Sequence, residues 1–181
     1  MFIYILAAVV AAIVVLVVTV AAQPSAFSIS RSSAIAAPAA AVFPHVNDFH
    51  NWEAWSPWVK IDPNSQVAFE GPSSGKGAIF RWEGNRQVGT GSMLITESRP
   101  NDLILIDLIF LKPFRGKNVT EFTFKPDGDQ TVVNWTMTGK SAFIPKLFCF
   151  CFRMNMDKMV GCQFEKGLAS MKSVVESSAG K

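Results

Sequence analysis

The sequence predicts an α+β fold in which a curved antiparallel β-sheet packs on one long C-terminal α-helix, preceded by an N-terminal transmembrane helix. Three observations support this prediction. The first 22 residues contain no charged side chain, although the chain has 17 Lys or Arg and 14 Asp or Glu. Short segments of alternating polarity fill the middle of the chain, and apolar residues recur at helical spacing in the last third.

Residues 1–22 are long enough to cross a bilayer. As a helix they reach ~33 Å, and a hydrocarbon core is ~30 Å thick. A secretory signal is the alternative, because the small residues 20–22 before Gln23 suit a cleavage site. The apolar run, however, exceeds the ~7–15 residue core of a signal peptide, and no basic residue precedes it. The pattern favours an uncleaved single-pass anchor, and Arg31 alone is too little to decide which side the domain occupies.

The charge and the metal-binding residues exclude several classes of protein. A net charge of +3, without runs of basic and aromatic residues, does not indicate nucleic-acid binding. The chain has three cysteines and two histidines, His45 and His50, and none of them has metal-ligand spacing. We therefore expect neither a metal site nor a cofactor.

The chain divides into an anchor and one domain of ordinary size. We expect a transmembrane anchor over residues 1–22, a short linker over 23–26, one folded domain over 27–177 and a tail over 178–181. No internal repeat or second domain is visible.

The domain begins with a strand and short helices. Residues 27–32 alternate between apolar and polar side chains, as a half-buried strand does. Pro38 suits the first turn of a helix, and residues 39–49 are expected to form short helices that Pro44 interrupts. An aromatic segment over 52–58 follows.

Six further strands are predicted in the middle of the chain. Turn residues rich in Gly, Pro, Asn and Asp separate them, which indicates a meander and hence an antiparallel sheet. The predicted strands are 67–70, 78–82, 91–98, 103–111, 119–125 and 131–140.

The last third changes to a helical period. After Pro145 there is no further proline, and apolar residues recur at spacings of three and four up to about Ser177. This pattern predicts one long amphipathic helix. A curved sheet wrapped around that helix would leave a space between the two.

Several motifs resemble a known superfamily. The strand 27–32 with Pro38 is similar to the opening of the helix-grip (SRPBCC, START-like) superfamily, and the tryptophan-rich segment 47–58 is the most specific match. Further similar segments are Trp82-Glu83-Gly84-Asn85, Gly89-Thr90-Gly91, residues 131–135 and residues 164–168. The resemblance covers about residues 27–176, and within the superfamily the chain looks like polyketide cyclase/dehydrase-like bacterial proteins with an N-terminal hydrophobic segment.

The resemblance implies a helix-grip fold with a cavity between sheet and C-terminal helix. It implies function less well, because members carry lipids, bind hormones, cyclise polyketides or assist chaperones. Residues of apolar and adaptable type on the sheet and helix are candidates for the cavity wall. They are Trp82, Trp135, Met137, Met156, Met159 and Phe152.

Trp52, Trp55 and Trp58 recur every three residues, so a helical turn would place them along one side. We expect them either to form an aromatic lid at the cavity mouth or to plug one end of the core. Both readings follow from the same spacing.

Two carboxylates, Asp107 and Glu97, are candidates for a catalytic role. Asp107 lies in an otherwise apolar strand, where it faces either the cavity or solvent. Nothing in the spacing of the acidic residues and histidines resembles a catalytic triad, a carboxylate pair or a metal cage.

Three functions remain open from the sequence. The first is a membrane-anchored, non-catalytic module that binds a hydrophobic or amphipathic, lipid-like small molecule in the cavity. The second is an enzyme of cyclase or hydrolase type that uses cavity carboxylates. The third is an envelope or stress accessory module with a filled core, which acts through protein contacts.

Overall fold

The structure is a computed structural model that describes residues 1–151 and 155–179. Its helices are α1 Phe2–Ala22, α2 Ala39–Val42, α3 Pro44–Asn47, α4 Trp52–Trp55, α5 Pro57–Ile61, α6 Phe143–Cys151 and α7 Met156–Ala179. Its strands are β1 Ala26–Ile35, β2 Gln66–Glu70, β3 Ile79–Glu83, β4 Thr90–Arg99, β5 Leu103–Lys112, β6 Gly116–Asp127 and β7 Gln130–Lys140. A 3₁₀ turn, Phe49–Asn51, lies between α3 and α4.

The seven strands form one antiparallel sheet in the order β1-β7-β6-β5-β4-β3-β2. Strands β2 to β7 pair in sequence order as a meander, and β1 returns to pair with β7. The predicted α+β fold class is confirmed. Each predicted strand is found, with ends within three residues of those expected. Pro44 begins α3 and so interrupts the first short helices, as expected.

The inner face of the sheet packs against the helices. Alternation and register place Trp135 of β7, Phe122 of β6 and Ile104 of β5 side by side on this face. All three are almost fully buried. Helices α2 to α5 cover one end of the inner face, and α7 packs along β1.

Aromatic rings fill the space between α7 and the sheet. The ring of Trp135 stacks on Phe164 of α7 with centroids 4.0 Å apart, and on Phe122 at 4.9 Å. Helix α7 approaches this closely because Gly167 has no side chain: a Cβ there would lie 2.9 Å from the Trp135 ring. The interior beneath the middle of α7 is therefore packed rather than open.

Arg31 fixes the position of α7 relative to β1. It lies on the inner face beside Trp135, and its guanidinium bonds Glu165 at 2.6 Å and Asp157 at 3.1 Å. The hydrogen bond from Arg31 holds the pKa of Asp157 below its usual range. Because a quarter of the Arg31 side chain is exposed, solvent screens these ion pairs, and their main effect is orientation.

The C-terminal apolar segment forms two helices, so the prediction of one continuous helix from Pro145 is wrong. Asn155 is not helical, and its side-chain oxygen accepts a hydrogen bond from the Lys158 amide at 3.2 Å. Its carbonyl accepts from the Met159 amide at 3.0 Å. Asparagine is a favoured N-cap, and here it begins α7 as a separate helix.

Helix α1 meets the length and composition of a membrane span, which an N-terminal signal sequence also meets. Its side chains are exposed almost throughout, but Val20 in the last turn is fully buried. The end of α1 lies against α6. Lys146 of α6 also donates to the carbonyl of Gln23 at 3.0 Å and to the hydroxyl of Ser25 at 3.3 Å.

Candidate functional site

Two of the predicted wall residues lie in the closed part of the interior. Trp135 and Met137 alternate onto the inner face of β7, with 3% and 6% of their surface exposed. The indole N–H of Trp135 is buried, and no acceptor in residues 1–151 and 155–179 lies within hydrogen-bond distance of it. Both side chains form the packed floor beneath α7.

The three tryptophans at 52, 55 and 58 surround the same floor. The indole of Trp52 donates to the carbonyl of Val46 at 3.0 Å, and that of Trp55 to the carbonyl of His45 at 2.9 Å. Trp52 and Trp55 are buried. Trp58 is half-buried, with its ring 5.8 Å from that of Trp135. These contacts make them part of the core at the end that α2 to α5 cover.

Trp82 lies elsewhere, on the half of the inner face farther from α7. It stacks near Phe80 at a centroid distance of 6.0 Å and meets Phe110 edge-on at 5.7 Å. With Leu108 these side chains form a half-buried surface across β3, β4 and β5, which we call the apolar shelf: Phe80, Trp82, Leu108 and Phe110. Gly91 lies under the Trp82 ring, where any side chain would collide with it.

Two of the predicted wall residues are methionines of α7. Met159 is half exposed and shares the solvent side of α7 with Cys162 and Lys166, which are also exposed. Met156 is half-buried and lines a second space, described next, and Phe152 lies outside the described residues.

The second space is a cleft of about 350 Å³ between the linker, β1, α6 and the start of α7. We call it the linker cleft. Its lining is mixed, with Phe27 and Met156 as apolar walls and Lys146, Asn155 and Asp157 as polar groups. The sequence did not indicate it, because the linker and α6 meet only in the folded chain.

The two candidate carboxylates are on the outer face of the sheet. Asp107 pairs with Lys117 at 2.8 Å, and Glu97 pairs with Arg99 at 3.2 Å. The register puts Asp107 beside Leu94 and Val119, opposite in direction to the shelf residues Leu108 and Phe110. The structure therefore does not bring either carboxylate to the shelf.

Sequence reasoning missed Phe80, Leu108 and Phe110 as shelf residues. The signal was present, since Phe80 alternates with Trp82, and Leu108 and Phe110 lie on the face opposite Asp107. Asn118 was missed too. It is half-buried on β6 directly beside Leu108, and no hydrogen-bond partner for its side chain is found in the described part of the chain.

His45, in α3, makes the stability of the folded protein depend on pH. Its Nδ1 is buried without a partner among the described residues, and burial lowers the pKa of the imidazole. The unfolded chain therefore takes up a proton at higher pH than the folded protein, so stability should fall as the pH drops below about 6.5. We expect the melting temperature to fall more between pH 7.5 and 5.5 in the natural protein than in a His45→Gln variant. The melting temperatures are measured by circular dichroism of the full chain in detergent. Equal decreases in the two proteins would contradict this prediction.

Solved structures share the fold at low sequence identity. The Aha1 dimer from Colwellia psychrerythraea is 16% identical with a TM-score of 0.57, covering 83% of this chain and 96% of that one. Ara h 8.0201 is 10% identical with a TM-score of 0.57, covering 84% and 99%. The di-domain aromatase/cyclase StfQ of the steffimycin biosynthetic pathway is 14% identical with a TM-score of 0.60, covering 87% and 53%. No curated protein sequence matches the chain.

The resemblance to the helix-grip superfamily is confirmed by these folds and by a family model. The model described as "Polyketide cyclase / dehydrase and lipid transport" matches residues 26–176, which is the whole sheet and nearly all of α7. Since the match covers most of the sequence, this chain belongs to the polyketide cyclase/dehydrase and lipid transport family.

Proposed function

We propose that this protein is a membrane-anchored module that binds a hydrophobic or amphipathic, lipid-like small molecule on the apolar shelf. The observation that carries the proposal is the half-buried aromatic surface of Phe80, Trp82 and Phe110, on an inner face that is elsewhere packed. The family description, which includes lipid transport, and the apolar helix α1 agree with it.

The shelf suits a ligand of this kind physically. Covering apolar surface is worth about 25 cal/mol per Å² before the costs of binding. Asn118 offers an amide beside Leu108 that can orient one polar group of the ligand.

The enzymatic alternative has less support. A catalytic acid or base must reach the reacting atoms, and Asp107 and Glu97 point away from the shelf into ion pairs. The filled space between Trp135 and Phe164 favours, as a second candidate, an accessory module that acts through protein contacts. Ligand labelling separates this candidate from the binding module.

The test uses the full chain in lipid nanodiscs with a diazirine derivative of palmitic acid as the probe. We expect saturable photo-crosslinks on inner-face residues of β3 and β5, with Trp82 and Phe110 as the main sites. Excess unlabelled palmitic acid should compete with the probe. Labelling that is weak, unsaturable and spread over the surface would overturn the binding proposal and favour the accessory module.

Two substitutions on β5 provide a matched pair. We expect Leu108→Ala, on the shelf, to weaken apparent probe affinity about tenfold, corresponding to ~1.4 kcal/mol of lost contact. Its neighbour Ile109 faces the other side of the sheet and is 38% exposed, so Ile109→Ala should leave affinity unchanged. Equal affinities for the two variants, measured by titrating the crosslink yield, would remove Leu108 from the site.

A further inference from the structure

Helix α6 has an apolar face that points away from the domain. Its exposed large side chains span one broad side of the helix: Phe143 39%, Ile144 61%, Phe148 47% and Phe150 41%. Lys146 and Cys149 lie on the other side, where they line the linker cleft. The helix is amphipathic, with its apolar side outward, the reverse of a helix that packs on a core.

The position of α6 is fixed next to the end of α1. Only residues 23–25 separate α1 from β1, a reach of at most about 11 Å when extended. Lys146 bonds Gln23 and Ser25, and the amide of Ser141 donates to the Ser25 carbonyl at 2.8 Å. The apolar side of α6 therefore lies close to the point where the apolar surface of α1 ends.

Cationic side chains lie along the end of the sheet at which β1 begins. We use the name anchor edge for this end of the sheet, made of strand ends and the turns between them. Strands β3, β5 and β7 end there, and β4 and β6 begin there. Exposed basic residues at this edge are Arg86, Lys112, Arg115, Lys117 and Lys140. Lys112 pairs with Glu83 and Lys117 with Asp107. For Arg86, Arg115 and Lys140, no acidic group in the described residues is within ion-pair distance.

The turn between β5 and β6 adds apolar groups to the same edge. Phe114 is 46% exposed in this turn, and Leu111 just before it is 49% exposed. The opposite edge of the sheet exposes charges of both signs. Its strand ends and turns carry Asp102, Asp127 and Asp129 together with Lys76, Arg99 and Lys125, all exposed.

We propose that α6 and the anchor edge form a docking surface for an anionic phospholipid bilayer, the same bilayer that α1 crosses. The apolar side of α6 and Phe114 enter the boundary between headgroups and acyl chains, and Arg86, Arg115 and Lys140 contact the phosphates. The inference rests on the membrane anchor of the proposed function and not on its ligand. Trp82 and Phe110 lie near the ends of β3 and β5, so these shelf residues are at the end of the sheet next to the docked leaflet.

The test uses the full chain in nanodiscs. It measures how deeply α6 enters the bilayer and how far the bilayer protects the amides of α6 from hydrogen exchange. Amide hydrogen exchange on the unmodified chain should be several-fold slower over 143–151 with phosphatidylglycerol than with phosphatidylcholine alone. Nitroxide labels at Ile144→Cys and Phe150→Cys, in a chain with Cys149, Cys151 and Cys162 changed to Ser, should be more accessible to oxygen than to an aqueous nickel chelate. A label at Asp129→Cys, on the opposite edge, should show the reverse.

Charge reversal gives the matched control. The double variant Arg115→Glu, Lys140→Glu should abolish the difference in exchange between anionic and neutral nanodiscs, whereas Lys76→Glu, Lys125→Glu at the opposite edge should preserve it. Amide exchange over 143–151 at the same rate in anionic and neutral nanodiscs would overturn the docking surface. Labels at 144 and 150 that are as accessible to the aqueous nickel chelate as the label at 129 would also overturn it. Saturable palmitate labelling is scored separately, so either proposal can fail while the other stands.

Discussion

Replacing Trp135 by alanine is expected to lower the free energy of unfolding by about 3–5 kcal/mol. Its ring is 3% exposed and lies between Phe164 and Phe122, with Trp55 edge-on at 5.6 Å. Removing it leaves a cavity between α7 and the sheet that rigid neighbouring rings fill poorly. Urea unfolding of the full chain in a non-ionic detergent, followed by far-ultraviolet circular dichroism, measures the loss.

The conservative variant Trp135→Phe is the control for this prediction. It keeps a ring against Phe164 and removes the buried indole N–H, which has no acceptor within the described residues. An unpaired buried donor costs about 1–3 kcal/mol, so losing it offsets part of the lost contact. We expect Trp135→Phe to cost less than half as much as Trp135→Ala. Equal losses would show that the N–H is satisfied in solution or that the stack is not tight.

Gly167→Ala is expected to destabilise the protein by about 1–3 kcal/mol, the usual cost of overpacking a core. Alanine in place of glycine normally favours a helix by up to about 1 kcal/mol, so the sign of the effect is informative. The added Cβ would lie 2.9 Å from the Trp135 ring and 3.1 Å from Pro57. Neither group can move away freely, because both are buried in the packed interior.

Ser173→Ala on the same helix is the matched comparison. Ser173 is exposed, so this substitution changes helix propensity without a packing cost, and we expect a small gain in stability. The two variants should move the urea midpoint in opposite directions. A Gly167→Ala protein at least as stable as the natural one would mean that α7 sits farther from the sheet than described.

The strands were predictable from sequence because one side of each strand faces the core and the turns carry Gly, Pro, Asn or Asp. The break between α6 and α7 was not. Apolar residues continue at helical spacing across it, and the N-cap at Asn155 is a single polar residue in an apolar segment. Periodicity reports which face is apolar, but it does not report whether the helix is continuous or whether that face is turned inward.

The candidate site shows the same limit at the level of single residues. Alternation put Trp82 and Trp135 on one face of the sheet, and both are there. Which of them is covered depends on where α7 and the short helices lie, and that depends on contacts between distant segments such as Arg31 with Asp157 and Glu165. Asp107 was ambiguous for the same reason, since its pairing with Lys117 across two strands is not visible in local sequence.

The short linker has a consequence for how such a module could work. A protein that ferries molecules between two membranes needs a long tether or no tether. Here residues 23–25 connect α1 to β1, and Lys146 and Ser141 hold them against the domain. With α1 in the bilayer as proposed, a domain attached in this way would be stationary: it could receive, hold and present a molecule within one bilayer, and a soluble or second membrane-bound partner would have to carry the molecule any farther.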